Sequence, residues 1–363
     1  MLFCICAKHP ADQSNEAERH NARESTRRKI IPPFYQQLHP VVIPLDQNLF
    51  MFKHIAVFAL AAALPLSSET IQVHAHRGGR ASRPENTLPA FQFAIDHKVE
   101  ALELDLAVTK DNVLVVSHSP YLTQQESTDP FMKAVLANER HCAGPALPPG
   151  TLIHSLTLAE LKQYDCGATT LAVFPHQVAV PHTPIPTFDE VLDLAPKGNF
   201  DFNVETKIFI NKPEVTPSPE VFVKMIDDAV RRHHLQSRVI LQSFDFRTLH
   251  AMKQIDPEIR LSALFGQAKY DRFMGITDSD KSFLHIAELA GLRKGDFLSP
   301  DETLATPDSV AAGHQAGLKV VPYTSNTPDG WKKLADAHVD AIITDDPAGL
   351  MDWLRTQNPP LHP

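Results

Sequence analysis

Four short segments hold the residues best suited to chemistry. VHAHRGG, residues 73–79, ends an apolar β-branched run in His74, His76 and Arg77 before a glycine pair. In ALELDLAV, residues 101–108, Glu103 and Asp105 stand two apart. On a strand that spacing puts both side chains on one face. Two carboxylates crowded into an apolar strand repel and desolvate one another, and a cation relieves both costs. An exposed strand alternates in the same way, so the pair alone leaves both readings open. FDFNVETKIF, residues 200–209, alternates Asn203, Glu205 and Lys207 on one face. A third carboxylate with oxygen-only donors suits one hard divalent cation, Ca2+ or Mg2+. The competing reading of this segment is an amphipathic edge strand. VVSHSP, residues 115–120, supplies His118, which taken singly reads as a polar rim residue.

Taken together, these residues describe one device. Of two histidines beside a cation site, one serves as general base and the other as general acid. The cation polarises a phosphoryl oxygen and holds the nucleophilic oxygen. Arg77 offers a planar fork for phosphate, and Lys207 a second positive charge. That is the chemistry of phosphodiester cleavage. Gly78 and Gly79 allow the backbone a sharp turn and close approach to a ligand. His74 shares a face with His76 but lies deeper, which favours a hydrogen-bonded core histidine. There is no GxGxxG after a strand and no P-loop, so nothing suits a dinucleotide or nucleoside triphosphate.

The elements that must position these residues alternate. Short apolar runs are expected as strands at 71–76, 101–108, 113–118, 200–207, 239–244, 261–265, 297–300, 319–324 and 341–345. Helical patterns lie between them at 88–97, 218–233, 247–255, 308–316 and 330–337. Such alternation implies parallel strands in an α/β fold. Only Thr109, Lys110, Asp111 and Asn112 separate the second run from the third. A parallel crossover needs about a dozen residues, so this connection is an antiparallel hairpin. The hairpin returns His118 opposite Leu104 and Asp105. Setting its second arm aside leaves eight parallel strands, the number that closes a TIM (β/α)8 barrel. Residues 119–187, with one short helical pattern at 156–164, read as a loop-rich insertion over one face of that barrel.

The whole chain sets further bounds. Its 363 residues, 43% hydrophobic and 21% charged, are ample for a large core. A formal net charge of -9 leaves no electrostatic footprint for nucleic acid. No apolar run reaches the 18 residues or so of a membrane-spanning helix, so no stable span is expected. Residues 1–50 are polar and without period, a doubtful N-terminal extension. MFKHIAVFALAAALPLSSE follows from Met51, with Lys53 and His54 before an apolar run at 55–66. That is the layout of a signal peptide over 51–68, cleaved after Ala63 or near Ser68, and translation is expected to begin at Met51. The barrel then occupies 71–363, and the protein is expected to be periplasmic or secreted. Cys142 and Cys166 form either a disulfide, as export permits, or two unrelated buried thiols.

HRGGRASRPENT, LELDLAVTKDNVLVVSHSP, NVETK, LQSF and AIITDDP, in this order over residues 73–354, resemble the glycerophosphodiester phosphodiesterase family. The resemblance implies a TIM barrel that hydrolyses glycerophosphodiesters to sn-glycerol 3-phosphate and an alcohol. It implies His76 and His118 as the acid–base pair, and Glu103, Asp105 and Glu205 as cation ligands. Arg77 and Lys207 would contact the phosphate, and Asn203 would support the site. Glu85 would orient Arg77 or His76; its other reading is helix-start chemistry with Asn86 as N-cap. Three positions depart from the family pattern. Ser119 replaces an aspartate after the histidine, Thr206 sits inside the ELK-like stretch, and Tyr323 stands where a tryptophan is common. The insertion is similar to that of periplasmic members. Two rival activities are a phospholipase or lysophospholipase D-like phosphodiesterase, and an exported binding protein on an inactive barrel. The insertion lacks a plain amphipathic Leu/Trp helix, which counts against the first rival. The intact His76, His118, Glu103, Asp105 and Glu205 count against the second.

Overall fold

The computed structural model describes residues 70–362 except 124–127, 129–132, 134–136, 210, 211, 213, 358 and 359. The expected extension at 1–50 and signal peptide at 51–68 lie outside the described residues.

Nine strands form the sheet: β1 Gln72–Ala75, β2 Ala101–Val108, β3 Leu114–Val116, β4 Asp201–Thr206, β5 Val239–Ser243, β6 Arg260–Phe265, β7 Phe297–Pro300, β8 Lys319–Val320 and β9 Ala341–Thr344. Their order is β8-β7-β6-β5-β4-β2-β1-β9, with β3 paired to β2 off this path. Every pairing on the path is parallel. Backbone bonds from Asp340 N to Val320 O (3.0 Å) and from Ile343 N to Pro322 O (3.0 Å) join the two ends. The sheet is thus a nearly closed eight-stranded parallel barrel, as the alternation of runs implies. Leu106 pairs Val116 and Val108 pairs Leu114 in the antiparallel hairpin. Its turn is tied by Thr109 N on Val113 O at 3.0 Å.

The helices among the described residues are, in chain order, α1 Leu88–Asp96, α2 Leu158–Leu161, α3 Phe188–Leu192, α4 Pro219–Arg232, α5 Phe246–Ile255, α6 Ala268–Phe273, α7 Phe283–Ala290, α8 Pro307–Gln315, α9 Pro328–Asp336 and α10 Pro347–Arg355. Several starts follow one rule, a hydroxyl or carboxylate cap and then proline at the first position. Thr306–Pro307, Thr327–Pro328 and Asp346–Pro347 are examples. The helices bury one face each against the strands. Phe222, Ile226 and Val230 of α4 belong to the same core as Phe202 and Val204 of β4. Among the described residues no helix is long and apolar enough to cross a membrane.

The insertion packs on the back of the hairpin. Leu106 and Val116 face the main core, whereas Ala107 and Val115 join Leu122, Ile153, Leu161, Tyr164, Cys166 and Ile185 in a cluster of their own. The alternation of the strand makes this division. Cys142 and Cys166 form a disulfide, and Ala143 and Asp165 exchange backbone bonds of 2.8 and 2.7 Å beside it.

Candidate active site

The site is built where strand pairing stops. β1 ends at Ala75, and His76, Arg77 and Gly78 make one 3-10 turn rather than continuing the strand. Arg77 (φ 51°), Gly78 (φ 81°) and Gly79 (φ 92°) are all left-handed. A Cβ at Gly78 would meet Ala90 and Phe91 at 2.9 Å, so glycine is demanded by space as well as by angle. This turn aims the Arg77 backbone N–H at Glu103 Oε2, 2.8 Å away.

Glu103 and Asp105 come from β2, and Glu205 from β4. Parallel register sets Asp105 beside Glu205 and Glu103 beside Asn203. One oxygen from each of the three carboxylates lies within 4.8 Å of the others, and all three residues are buried. Gln242 Nε2 donates to Glu103 Oε1 at 2.7 Å, and Asn86 Nδ2 to Asp105 Oδ2 at 2.9 Å. Lys207 Nζ lies 3.0 Å from Asp105 Oδ1 and 2.6 Å from Glu205 Oε1. Burial and then the neighbouring Asp105 and Glu205 push the Glu103 carboxyl well up. Burial, with Asp105 beside it, lifts Glu205 to about 7 against the pull of Lys207. Burial works against ionised Asp105, but Lys207, His118 and Arg77 outweigh it and hold it well down. Ionised together, the three buried carboxylates would carry more negative charge than Lys207 and Arg77 offset. With oxygen donors only, the set fits a hard divalent cation.

The two histidines stand at this cluster. His76 Nδ1 meets Asp345 Oδ1 at 2.5 Å, and its Nε2 lies 4.0 Å from Glu103 Oε2. Asn326 holds Asp345 in turn, donating Nδ2 to its Oδ2 at 2.9 Å and accepting its backbone N–H at 2.8 Å. Ser117 N bonds Asp105 O at 2.9 Å, so the antiparallel register brings His118 opposite Leu104. His118 Nδ1 faces Glu139 Oε2 at 3.3 Å. Burial, then Arg77 and Lys207, lower His118 to about 4 against the opposing Asp105 and Glu139. Burial also lowers His76, with Asp345 opposing. Both shifts favour the neutral ring. A cavity of about 170 Å³ opens beside His118 and Lys207, walled by Tyr121, Glu139, Phe209 and Tyr270.

The remaining expected residues fall around this centre. Arg77 is buried, with Nη1 on Glu85 Oε1 at 3.0 Å and Nε 3.5 Å from Asp105. Glu85 thus orients Arg77 rather than His76, and Arg80 shares it at 2.6 Å. The N-cap of α1 is Thr87, not Asn86. Asn86 sits at φ 55° and turns its side chain to Asp105. Asn203 donates to Gln242 Oε1 at 3.0 Å and lies 3.4 Å from His74 Nδ1, so it connects His74 to the Gln242 that holds Glu103. Sequence reasoning missed Asp345, Asn326, Gln242, Glu139 and Arg140. A signal existed for Asp345: in a closed barrel the last strand lies beside the first, and Ala75 pairs with Thr344. One step beyond that pair stand His76 and Asp345.

Fold and site define a (β/α)8-barrel enzyme with a buried carboxylate centre and two histidines at the C-terminal rim of its strands. The sequence profile of the glycerophosphoryl diester phosphodiesterase family matches residues 76–349. The chain belongs to that family and is a phosphodiesterase. A glycerophosphodiester phosphodiesterase of Caldanaerobacter subterraneus subsp. tengcongensis is 27% identical over 283 residues, 78% of this chain and 97% of that protein. A solved structure from Silicibacter pomeroyi DSS-3, assigned to the glycerophosphoryl diester phosphodiesterases, superposes with a TM-score of 0.66 at 26% identity, covering 78% of this chain and 93% of the other. An Oleispira antarctica phosphodiesterase, solved with its product sn-glycerol-3-phosphate, has the same fold. Its TM-score is 0.58 at 22% identity, covering 80% of this chain and 98% of the other.

Proposed function

We propose that this protein is an exported enzyme that hydrolyses glycerophosphodiesters to sn-glycerol 3-phosphate and an alcohol. His76 and His118 exchange the protons, and one divalent cation, Ca2+ or Mg2+, is held by Glu103, Asp105 and Glu205. The observation that carries this reading is the placement of both histidines at one buried carboxylate cluster, each with Nδ1 turned to a carboxylate. Family membership and the product complex of the Oleispira relative support the substrate class.

With Nδ1 engaged, Nε2 is the nitrogen each ring has left for proton transfer. A neutral histidine accepts the proton of the attacking water oxygen as the new P–O bond forms. Its partner, once protonated, gives a proton to the alcohol oxygen as the old P–O bond breaks. When bound, the cation supplies polarisation of a phosphoryl oxygen. Lys207 faces the cavity and offsets charge on the phosphoryl group. Arg77, held by Glu85 and Asp105, adds a second positive charge beside Lys207 to offset that of the phosphoryl group. Asn203 supports the site through Gln242.

Turnover of glycerophosphocholine, with release of glycerol 3-phosphate, tests the reading against lysolipids and other glycerophosphodiesters. His76→Ala and His118→Ala are expected to lose at least about 10²-fold in kcat. Chelation is expected to abolish activity and Ca2+ or Mg2+ to restore it. Full activity in both variants, or indifference to chelators, refutes the mechanism.

Export is supported by the signal-like apolar run at 55–66 and by the Cys142–Cys166 disulfide, since such bonds persist in oxidising compartments. N-terminal sequencing of the native protein is expected to find a mature chain starting between 64 and 70. A mature chain that keeps residues before 51 sinks the idea.

A further inference from the structure

We infer that Glu139 is the positioning residue of His118, and that the insertion serves to deliver it. The inference rests on the acid–base role proposed for His118. Glu139 Oε2 stands 3.3 Å from His118 Nδ1. The two histidines differ in where their carboxylate comes from. Asp345, at the end of β9, is part of the barrel itself. The hairpin offers His118 only Ser117 and Ser119 as chain neighbours, and these bond each other, Ser117 Oγ to Ser119 O at 2.9 Å. The carboxylate arrives instead from 21 residues downstream, inside the insertion.

The chain on both sides of Glu139 is fastened to the barrel rim. Arg80 Nη2 donates to Asn138 O at 2.8 Å. Arg140 Nη1 donates to Glu85 O at 3.0 Å and Asn86 O at 3.2 Å, and its Nη2 to Ser117 Oγ at 3.1 Å. Cys142 is bonded to Cys166, and Ala143 is paired with Asp165. Glu139 is therefore set in a strap fixed at four points over six residues. Arg140 grips the same turn, Glu85 and Asn86, that holds Arg77 and Asp105. One piece of backbone thus carries the register of the strap and of the carboxylate cluster.

The chemistry follows from the partner's charge. A carboxylate on Nδ1 keeps a proton there, so the lone pair lies on Nε2, and it stabilises the imidazolium formed when Nε2 is protonated. The carboxylate within hydrogen-bond reach of His118 Nδ1 is that of Glu139.

The test is steady-state hydrolysis of glycerophosphocholine by the purified enzyme with saturating divalent cation. Glu139→Gln, Glu139→Asp, His118→Ala and the double variant E139Q/H118A are compared, with thermal midpoints for each. Glu139→Gln is expected to lose about tenfold or more in kcat with KM within about twofold. Glu139→Asp, which keeps the charge on a shorter arm, recovers part of that loss. In the His118→Ala background the Glu139→Gln change costs nothing further, because Glu139 acts through the ring that is gone. A wild-type kcat in Glu139→Gln beside an inactive His118→Ala overturns the inference. So does an equal loss from Glu139→Gln with and without His118. Wild-type turnover in His118→Ala overturns the acid–base reading first, and this one with it.

Discussion

At the scale of single residues, the site was legible wherever one strand's own period carried it. Glu103 with Asp105, and Asn203 with Glu205 and Lys207, share a face by spacing alone, and the structure brings them together. Residues that meet the cluster from other elements left no such mark. Gln242 reaches Glu103 across β4, and Asn86 reaches Asp105 from the turn before α1. His74, deeper on β1, is a buried histidine linked to Asn203, in agreement with its core reading. It carries a pH prediction. Burial, and then Arg260, lower it to about 3 in the fold. In the unfolded chain it titrates near 6.5. Below that pH the unfolded chain takes up a proton that the folded chain refuses until about pH 3. Above pH 6.5 this group is neutral in both states and costs nothing. As pH falls from 6.5 it removes up to about 1.4 kcal/mol of stability per pH unit. His74→Gln is therefore expected to flatten the acid limb of stability. Urea unfolding at pH 7 and pH 4.5 checks it: an unchanged difference between the two pH values, variant against wild type, would falsify the assignment.

At the scale of elements, the hairpin was legible because a four-residue connection permits only one geometry. That geometry then carried His118 to its place. The barrel count followed from the same step. Strand ends were read one or two residues too long at functional positions. His76, His118, Lys207 and Asp345 each lie just past the last paired residue. The residue pattern does not mark the step at which pairing stops and the side chains turn to the site. The seventh parallel run is expected over 319–324, but its ladder, β8, covers Lys319–Val320 only. Pro322 has no N–H to donate, so regular pairing breaks there. Among the described helices, α3, α6, α7 and α10 are not among the patterns the sequence shows. The first two are five and six residues long, too short for a period to show. The path of the insertion was not legible either, because Leu122, Ile153, Leu161 and Ile185 pack on one another from distant points of a proline-rich stretch.

At the scale of the whole molecule, the charge at the centre of the barrel couples the proposed ligand to the stability of the fold. Glu103, Asp105 and Glu205 sit on two central strands, and β2 also carries the hairpin and contacts β1. Crowding of their charge opposes the folded state and is absent from the unfolded chain. A cation that binds only the folded protein stabilises it by mass action, about 2.7 kcal/mol at a hundred times its Kd. For a barrel of this size each kcal/mol raises Tm by roughly 2–4 °C. Addition of Ca2+ or Mg2+ after chelation is therefore expected to raise Tm by several degrees, at ionic strength matched with Na+. Glu205→Gln is expected to weaken that response while leaving the Tm of the chelated protein equal or higher, since one crowding charge is gone. This readout is independent of turnover. If neither divalent cation moves Tm beyond the Na+ control, the cluster does not hold a cation, and the charge on Glu103 and Glu205 must be met by protons and Lys207 alone.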